Sequence, residues 1–320
     1  MIEFGRVRRK MIVYTKPAHI LLLLTFSSFA MGSDFATEVV AFKEPFGSSP
    51  YDDPNSVLGK PTTKIYDSWS FETYSCSLVY SAWGTDPNGN KLITILGSGA
   101  EIVVKFDHKV ADDPGNPYGI DFIVFGNTFF ESDGWVASDT DMAKFLLKNP
   151  TSVNVDPVMV SVSQDGNKWC TYSNGPYANS VFPTNAYAWD RVNNCWGEQL
   201  DWTRPVDPNR EVGDFNGLFV ADAIDLYGGS AGGTGFDLRE LAPNDYAALA
   251  IDPNTGRKWI QYVKVHGSAG GKIDAFADVA GCGDYRHPYP VGDINKDCKV
   301  NMKDFALLTK HWLDCTWDCP

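Results

Sequence analysis

The chain has 320 residues, 27 of them basic and 40 acidic, so its formal net charge at pH 7 is −13. A surface this acidic repels nucleic acid and anionic lipid, and we expect neither as a partner. Four histidines follow the first 32 residues, far apart in the sequence, and none has the spacing of a zinc hydrolase motif.

Residues 1–32 have the pattern of a secretory signal peptide. Four basic residues lie between Arg6 and Lys10, residues 20–30 are apolar, and Ala30-Met31-Gly32 is a small-x-small cleavage site. The apolar run is too short for a transmembrane helix, and no later run is long enough. We therefore expect a secreted protein, extracellular or on the cell surface, whose mature form has no membrane span. Without the signal, 22 basic and 39 acidic residues remain, a net charge of −17.

Residues 34–284 are predicted to form one large β-sandwich domain. Gly, Pro and Asn recur along this segment at intervals of about eight to twelve residues, and long helical periodicity is almost absent. Strands are predicted at residues 39–42, 92–96, 100–106, 120–125, 159–163, 168–172, 218–224, 259–265 and 273–279.

Two pairs of these strands are expected to form hairpins, and one helix is expected between strands. Gly97-Ser98-Gly99 joins residues 92–96 to residues 100–106, and the Asp165-Gly166 turn joins the second pair. A helix is predicted at residues 141–148, where Asp139 or Thr140 caps its start and Pro150 ends it.

Seven cysteines follow the signal, and in an oxidising compartment some of them are expected to form disulfides. We predict a bond between Cys170 and Cys195 in the main domain. A second bond, between Cys298 and Cys315, would stabilise a small C-terminal module that is too short to be held by a core alone. The odd count leaves at least one thiol free or shared between chains.

Residues 285–291, with Pro288 and Pro290, are predicted to form an extended linker. The remaining segment, residues 292–320, begins with a calcium-loop pattern. Oxygen-bearing side chains stand at loop positions 1, 3, 5, 9 and 12, with a backbone carbonyl available at position 7: Asp293, Asn295, Asp297, Asn301 and Asp304, and Lys299. A hard cation such as Ca²⁺ needs six or seven converging oxygens, and this spacing provides them.

A helix is predicted directly after the calcium loop. Asn301 is a good N-cap, and Asp304, three residues later, completes a capping box. Phe305, Leu308 and Trp312 then share one helical face.

The Gly-Asp-x-Asn-x-Asp opening, the Asp304 ending and the Phe-Ala-Leu-Leu helix resemble a single repeat of a type I dockerin over residues 291–313. The resemblance implies that the loop residues named above are calcium ligands. It also implies that the tail attaches the protein to a cohesin-like or other cell-surface protein.

The main domain contains a second, more local resemblance. Residues 158–169, with the Asp165-Gly166 turn and Trp169, and the later run Tyr262-Val263-Lys264-Val265 are similar to discoidin-type or galactose-binding-type jelly rolls. This similarity implies a two-sheet sandwich with loops at one end available for sugar or calcium. The expected fold class is therefore mainly β, a jelly-roll sandwich followed by a small α-helical calcium module.

Six tryptophans lie in irregular, polar segments, where they either stack on sugar rings or cover the ends of the sandwich: Trp69, Trp83, Trp135, Trp189, Trp196 and Trp202. From them we predict a non-catalytic, polysaccharide-associated binding protein. The alternative is a glycoside hydrolase or lyase on the same sandwich, with Glu131 and Asp133 as candidate paired carboxylates. A structural surface protein without a ligand is the third possibility.

Two further sequence patterns are candidates for a catalytic serine and for a second metal site. Gly228-Gly229-Ser230-Ala231-Gly232 matches a nucleophile elbow, but the glycines after it do not begin the helix that this motif requires. Five aspartates near predicted strand ends are candidates for a second, structural calcium site: Asp222, Asp225, Asp237, Asp274 and Asp278.

Overall fold

The computed structural model describes residues 33–267, 270–279, 289, 291–295 and 300–310. The predicted signal peptide, most of the predicted linker, two of the six calcium-loop positions (Asp297 and Lys299) and the predicted Cys298–Cys315 bond lie outside the described residues. No helix among the described residues has the length and apolar character needed to cross a membrane.

The described chain contains fifteen strands and three α-helices. The strands are β1 Glu38–Lys43, β2 Lys64–Asp67, β3 Glu72–Ser75, β4 Thr94–Leu96, β5 Glu101–Ala111, β6 Phe122–Gly126, β7 Phe129–Phe130, β8 Val153–Asn154, β9 Met159–Ser163, β10 Cys170–Thr171, β11 Tyr187–Asp190, β12 Cys195–Gln199, β13 Thr234–Phe236, β14 Trp259–His266 and β15 Gly271–Asp278. The α-helices are α1 Val220–Leu226, α2 Pro243–Ala248 and α3 Met302–Lys310, and short 3-10 helices lie at Pro54–Val57, Pro117–Gly119, Val212–Phe215 and Leu238–Glu240.

Two antiparallel sheets form the main domain. The five-stranded sheet has the order β1-β5-β14-β9-β10, and the four-stranded sheet has the order β13-β6-β15-β4. Along the chain, β4, β6, β13 and β15 of the second sheet alternate with strands of the first, so most connections cross from one sheet to the other. Alternate crossing of this kind is the pattern of a jelly roll, and the prediction of a mainly β sandwich is confirmed.

The four-stranded sheet is covered on both faces, which explains its continuous apolar sequence. In β6, Phe122 and Val124 belong to the core shared with the five-stranded sheet, whereas Ile123 and Phe125 face a second cluster that includes Trp202. Successive strand residues point to opposite faces, so a strand buried on both sides must be apolar at every position. Each of these fully buried side chains contributes roughly 1.5–3 kcal/mol.

The predicted hairpin of residues 92–106 is wrong. β4 pairs with β15 in one sheet, whereas β5 pairs with β1 and β14 in the other. The Gly97–Ala100 turn therefore carries the chain between sheets. Gly97 lies so close to Pro45 that an added Cβ would be 2.7 Å from the Pro45 carbonyl oxygen, so this glycine is needed for a close approach rather than for a hairpin.

The strand predicted at residues 218–224 and the helix predicted at residues 141–148 are also wrong, and the two errors are connected. Residues 220–226 form α1, which buries Val220, Ala221, Ala223 and Ile224. The first N–H groups of α1 donate to the carbonyls of Phe145 and Met142 instead of to a cap of their own. Those carbonyls are thus used by α1, and residues 141–148 form turns.

The predicted bond between Cys170 and Cys195 is absent, and both side chains are free. Cys170 is buried on β10, and its Sγ lies 3.7 Å from the Asp245 carbonyl oxygen. Cys195 is the first residue of β12, in the separate two-stranded sheet of β11 and β12, and is exposed. The two cysteines therefore belong to different sheets, a separation that spacing along the chain does not reveal.

Candidate functional site

A groove of about 440 Å³ lies beside β7 and is lined by four aromatic residues, Tyr80, Phe129, Phe130 and Trp135, and by the ion pair of Glu131 and Lys148. We call it the aromatic groove. Its apolar rings and its charged pair both face the same concave surface. Sugar-binding sites combine these two properties, because a sugar ring has apolar faces and a polar edge.

Trp135 is the most exposed aromatic side chain of the described chain, at 98%. The chain directly before it is held in place, because Asp133 N–H donates to the Leu146 carbonyl and Ser132 Oγ donates to the Gly134 carbonyl. Gly134 has φ +135°, a conformation that favours glycine, and it turns the chain directly before the ring. A ring this exposed buries almost no area on folding, and its apolar face is accessible to a ligand.

The polar part of the groove is an ion pair. Lys148 Nζ lies 2.9 Å from Glu131 Oε2, and the hydrogen bond from Lys148 holds the pKa of Glu131 below its ordinary value. A glycosidase acid needs the opposite shift, because it must hold a proton near neutral pH. Glu131 therefore suits hydrogen bonding to sugar hydroxyls better than proton donation.

The turn between β2 and β3 carries two more exposed aromatic side chains. Trp69 is 87% exposed and Phe71 is 76% exposed. Phe71 has φ +59°, a region in which a bulky side chain is rare and strained. We call this turn, residues 68–71, the hairpin tip.

The hairpin tip is joined to the aromatic groove by its own strands. Ser138 Oγ donates to Glu72 Oε2 at 2.6 Å, which ties β3 to the loop that follows Trp135. On the same strand, the ring of Tyr74 stacks on Tyr80 of the groove, with a centroid separation of 4.2 Å and an interplanar angle of 16°. The exposed aromatic side chains of the tip and the groove therefore belong to one connected region.

The six tryptophans singled out in the sequence divide between two roles. Trp69 and Trp135 are exposed, whereas Trp202 is buried against Phe125 at a ring separation of 5.7 Å. Trp189 and Trp196 pack edge to face on each other, and Trp83 lies half-buried near Tyr80. The sequence did not single out Phe71, Tyr80 and Phe129, because a sequence does not show which aromatic side chains reach the surface of the folded protein.

A second concavity, of about 600 Å³, includes Lys60, Lys64, Lys91, Tyr187 and Asp274 in its lining, and we call it the lysine cleft. Partial burial lowers the pKa of both Lys60 and Lys64. Lys64 Nζ lies over the Tyr187 ring, 4.9 Å from its centroid.

Asp274 is the buried acid of the lysine cleft. It accepts hydrogen bonds from Thr62 N–H at 3.0 Å and from Thr62 Oγ at 2.9 Å, and burial raises its pKa to about 7. These bonds attach residues 60–64 to β15. They hold the segment that places Lys60 and Lys64 in the lining of the lysine cleft.

The described part of the tail has the capping arrangement expected for a calcium loop. Lys303 N–H donates to Asn301 Oδ1 and Asn301 N–H donates to Asp304 Oδ2, both at 2.8 Å. The other oxygen of Asp304 accepts from the N–H groups of Ile294 and Asn295 at 2.8 and 3.2 Å. One carboxylate at position 12 thus joins the start of the loop to the start of α3.

The remaining described ligand positions agree with an oxygen-rich site. Asp293 and Asp304 are both buried, although each is a carboxylate. Every predicted donor is a carboxylate, an amide or a backbone oxygen, which is the donor set that calcium prefers. The residues fit a calcium ion, and calcium binding by the loop stays a prediction.

The five aspartates predicted as a second calcium site do not form one group. Asp222 and Asp225 both pair with Arg191, and Asp278 binds His108. Asp274 binds Thr62, as described above. Asp237 alone lies in an acidic group, with Asp112 and Asp121, neither of which the sequence reasoning singled out.

This acidic group has an unusual member in Asp121. Its carboxyl is completely buried, and burial, with the carboxylates of Asp237 and Asp112 adding to the effect, raises its pKa to about 8. One carboxylate oxygen from each of the three residues lies within 4.8 Å of the others.

Ser230 has no nucleophile-elbow geometry. It is fully buried, its Oγ accepts from Gly232 N–H at 3.0 Å, and it follows α1 and precedes β13. An elbow requires a strand before the serine and a helix after it, which is the reverse order.

Comparison with protein-family models and with curated proteins finds no match to this chain.

Proposed function

We propose that this chain is a secreted, polysaccharide-associated binding protein whose dockerin-like tail, ordered by calcium, attaches it to a partner at the cell surface. The observation that carries the proposal is Trp135, a tryptophan almost completely exposed beside a groove that also contains an ion pair. Trp69 and Phe71 extend this exposed aromatic surface along the hairpin tip.

A non-catalytic role is supported by the chemistry of the groove. Glu131 is held ionised by Lys148, and the described groove lining includes no second carboxylate. Stacking on Trp135 and Tyr80, with hydrogen bonds from sugar hydroxyls to Glu131, is the binding mode that these side chains favour.

The test is a binding screen of the mature protein on neutral and uronic-acid polysaccharides, with release of sugar products measured in parallel. We expect binding without release. Trp135→Ala should weaken binding at least tenfold, which corresponds to about 1.4 kcal/mol. The free energy of unfolding of the Trp135→Ala variant should differ from that of the wild type by less than about 0.5 kcal/mol, because the ring is exposed.

Phe42→Ala is the matched control for Trp135→Ala. Phe42 is also an exposed aromatic residue, at 56%, and it lies on β1 outside the groove lining. Binding that falls equally in both variants, or that survives Trp135→Ala, would overturn the assignment of the groove.

One observation favours a second candidate function, a polysaccharide lyase that acts in the lysine cleft. Lyases remove the proton next to a uronate carboxyl, and a lysine with a lowered pKa is suited to act as the base. Lys64 has this property and lies over Tyr187. Release of unsaturated products that is lost in Lys64→Met but retained in Trp135→Ala would favour this candidate over the binding role.

A further inference from the structure

Three lysines line the lysine cleft, although the chain as a whole is acidic. Lys60, Lys64 and Lys91 all belong to the lining, in a protein whose formal net charge is −13. Lys91 pairs with Asp52. Within the described ranges, neither Lys60 nor Lys64 has a carboxylate at ion-pair distance. Two positive charges therefore line this concavity without a counter-ion from the protein.

Both of these lysines are held in place by neutral groups. Lys60 Nζ donates to Gln199 Oε1. Lys64 Nζ donates to Ser75 Oγ at 3.0 Å and lies over the Tyr187 ring. An ammonium group has three N–H donors, so these contacts leave donors for a ligand. Partial desolvation lowers the pKa of both lysines, and an anion bound beside them would favour their charged form.

The two carboxylates in the cleft lining are engaged elsewhere. Asp274 is buried and accepts both of its hydrogen bonds from Thr62. Asp86 accepts from the N–H groups of Asn88 and Asn90, both at 2.8 Å. In the part of the chain that the structure describes, neither carboxylate lies at ion-pair distance from a lysine of the cleft. The local charge is therefore available to an anion from outside the protein.

The volume and polarity of the cleft limit the kind of anion. Its volume of about 600 Å³ lies within the range of small-molecule sites. The lining also includes Thr63, Asn88 and Gln199, whose hydroxyl and amide groups can both donate and accept hydrogen bonds. A long polyanion is disfavoured, because the acidic surface around the cleft would repel it. A short ligand with one anionic group and several hydroxyls meets all of these conditions.

We propose that the lysine cleft binds a sugar acid, a ligand of about one or two sugar rings that carries a single carboxylate. The carboxylate accepts hydrogen bonds from Lys60 and Lys64, and the ring hydroxyls bind the amides of Asn88 and Gln199. The cleft lining shares no residue with the described lining of the aromatic groove. Binding here is therefore a property separate from polysaccharide binding at the groove.

The test measures binding of galacturonate and glucuronate to the mature protein by calorimetry. Galactose and glucose are the neutral counterparts, and inorganic sulfate is an anion without a sugar ring. We expect one site for at least one of the two acids, with the neutral sugars and sulfate binding at least tenfold more weakly. A monomer has no glycosidic bond to cleave, so this measurement is independent of any lyase activity.

Two outcomes of that titration would overturn the proposal. The first is that neither sugar acid binds at about 20 mM. The second is that a neutral sugar or sulfate binds as tightly as the acids, because the site would then recognise the ring alone or the charge alone.

Lys64→Met removes the charge of Lys64 and keeps the length of its side chain, and it should weaken sugar-acid binding at least tenfold. Lys60 and Lys64 are both exposed, so their substitution should leave the fold intact. Lys105→Met is the matched control, because Lys105 also lies over a tyrosine ring, that of Tyr262, and is outside the cleft lining. It should bind the sugar acid as the wild type does.

The variants also provide the result that would contradict the assignment of the cleft. Sugar-acid binding that survives Lys60→Met and Lys64→Met in one chain would overturn it, and so would an equal loss of binding in Lys105→Met. Polysaccharide binding at the aromatic groove is tested separately by Trp135→Ala, and none of these outcomes bears on it.

Discussion

His108 is a single residue that joins the two sheets by charge. It lies on β5, and its two ring nitrogens lie 2.7 Å from Asp107 Oδ1 and 2.7 Å from Asp278 Oδ2, the latter on β15 of the other sheet. The hydrogen bond with Asp278, followed by that with Asp107, raises the pKa of His108 from 6.5 to about 9. The imidazolium is therefore the form that the folded protein favours.

We predict that His108→Gln destabilises the protein in a pH-dependent way. Because the folded pKa is above the unfolded value, the stabilisation is complete below about pH 6.5 and is lost as pH rises through about 9. The full shift corresponds to about 3 kcal/mol, and partial exposure of the pair reduces the expected effect to about 1–2 kcal/mol. Urea unfolding of both proteins between pH 5.5 and 9.5 measures the difference.

His266→Gln is the control for this prediction. Burial lowers the pKa of His266, so any contribution from its titration is present above its unfolded pKa and is lost as pH falls through its folded pKa. If the destabilisation by His108→Gln grows between pH 6 and pH 9.5, or does not depend on pH, the raised pKa assigned to His108 is wrong.

At the scale of elements, the local pattern predicted strands better than their partners. Period two and apolar runs located β1, β6, β9, β14 and β15 within two residues at each end. The same information wrongly predicted that the two strands within residues 92–106 pair as a hairpin, because a turn between sheets and a hairpin turn have the same glycine-rich sequence. Residues 218–224 were misread because a short apolar run does not distinguish a buried strand from a buried helix.

Phe71, in the turn between β2 and β3, has a positive φ that strains the backbone. We predict that Phe71→Gly raises the stability of the protein by about 0.5–1 kcal/mol, because glycine tolerates positive φ without steric cost. Polysaccharide affinity should fall in the same variant, because an exposed aromatic ring is lost. Thermal unfolding and binding isotherms measure the two effects.

Tyr118→Gly is the matched comparison for Phe71→Gly. Tyr118 has φ +60° and is 48% exposed, but it does not line the aromatic groove. It should gain stability by a similar amount without losing affinity. A strongly destabilised Phe71→Gly would mean that the ring supports the fold instead of a ligand.

At the scale of the whole molecule, the sandwich was predictable and its site was only partly so. Turn spacing along residues 34–284 indicated a β-sandwich, and the tail's capping bonds at Asn301 and Asp304 followed from four consecutive residues. The groove, in contrast, combines Tyr80, Trp135 and Lys148, and the acidic cluster combines residues more than one hundred positions apart. Such groups depend on strand order, which local patterns do not contain.

The last prediction concerns the independence of attachment and recognition. Among the described residues, those that line the aromatic groove all lie between positions 79 and 148, whereas the predicted tail ligands begin at Asp293. We therefore expect a variant whose tail loop is disabled by Asp293→Ala and Asp304→Ala to keep the wild-type polysaccharide affinity within about twofold. The same variant should lose the calcium-dependent gain in helical circular dichroism that α3 should give. Binding isotherms with and without chelator, beside circular dichroism of both proteins, measure the two properties. A joint loss of affinity and helix signal would mean that the tail's calcium also shapes the groove, and the two functions would then have to be treated as one.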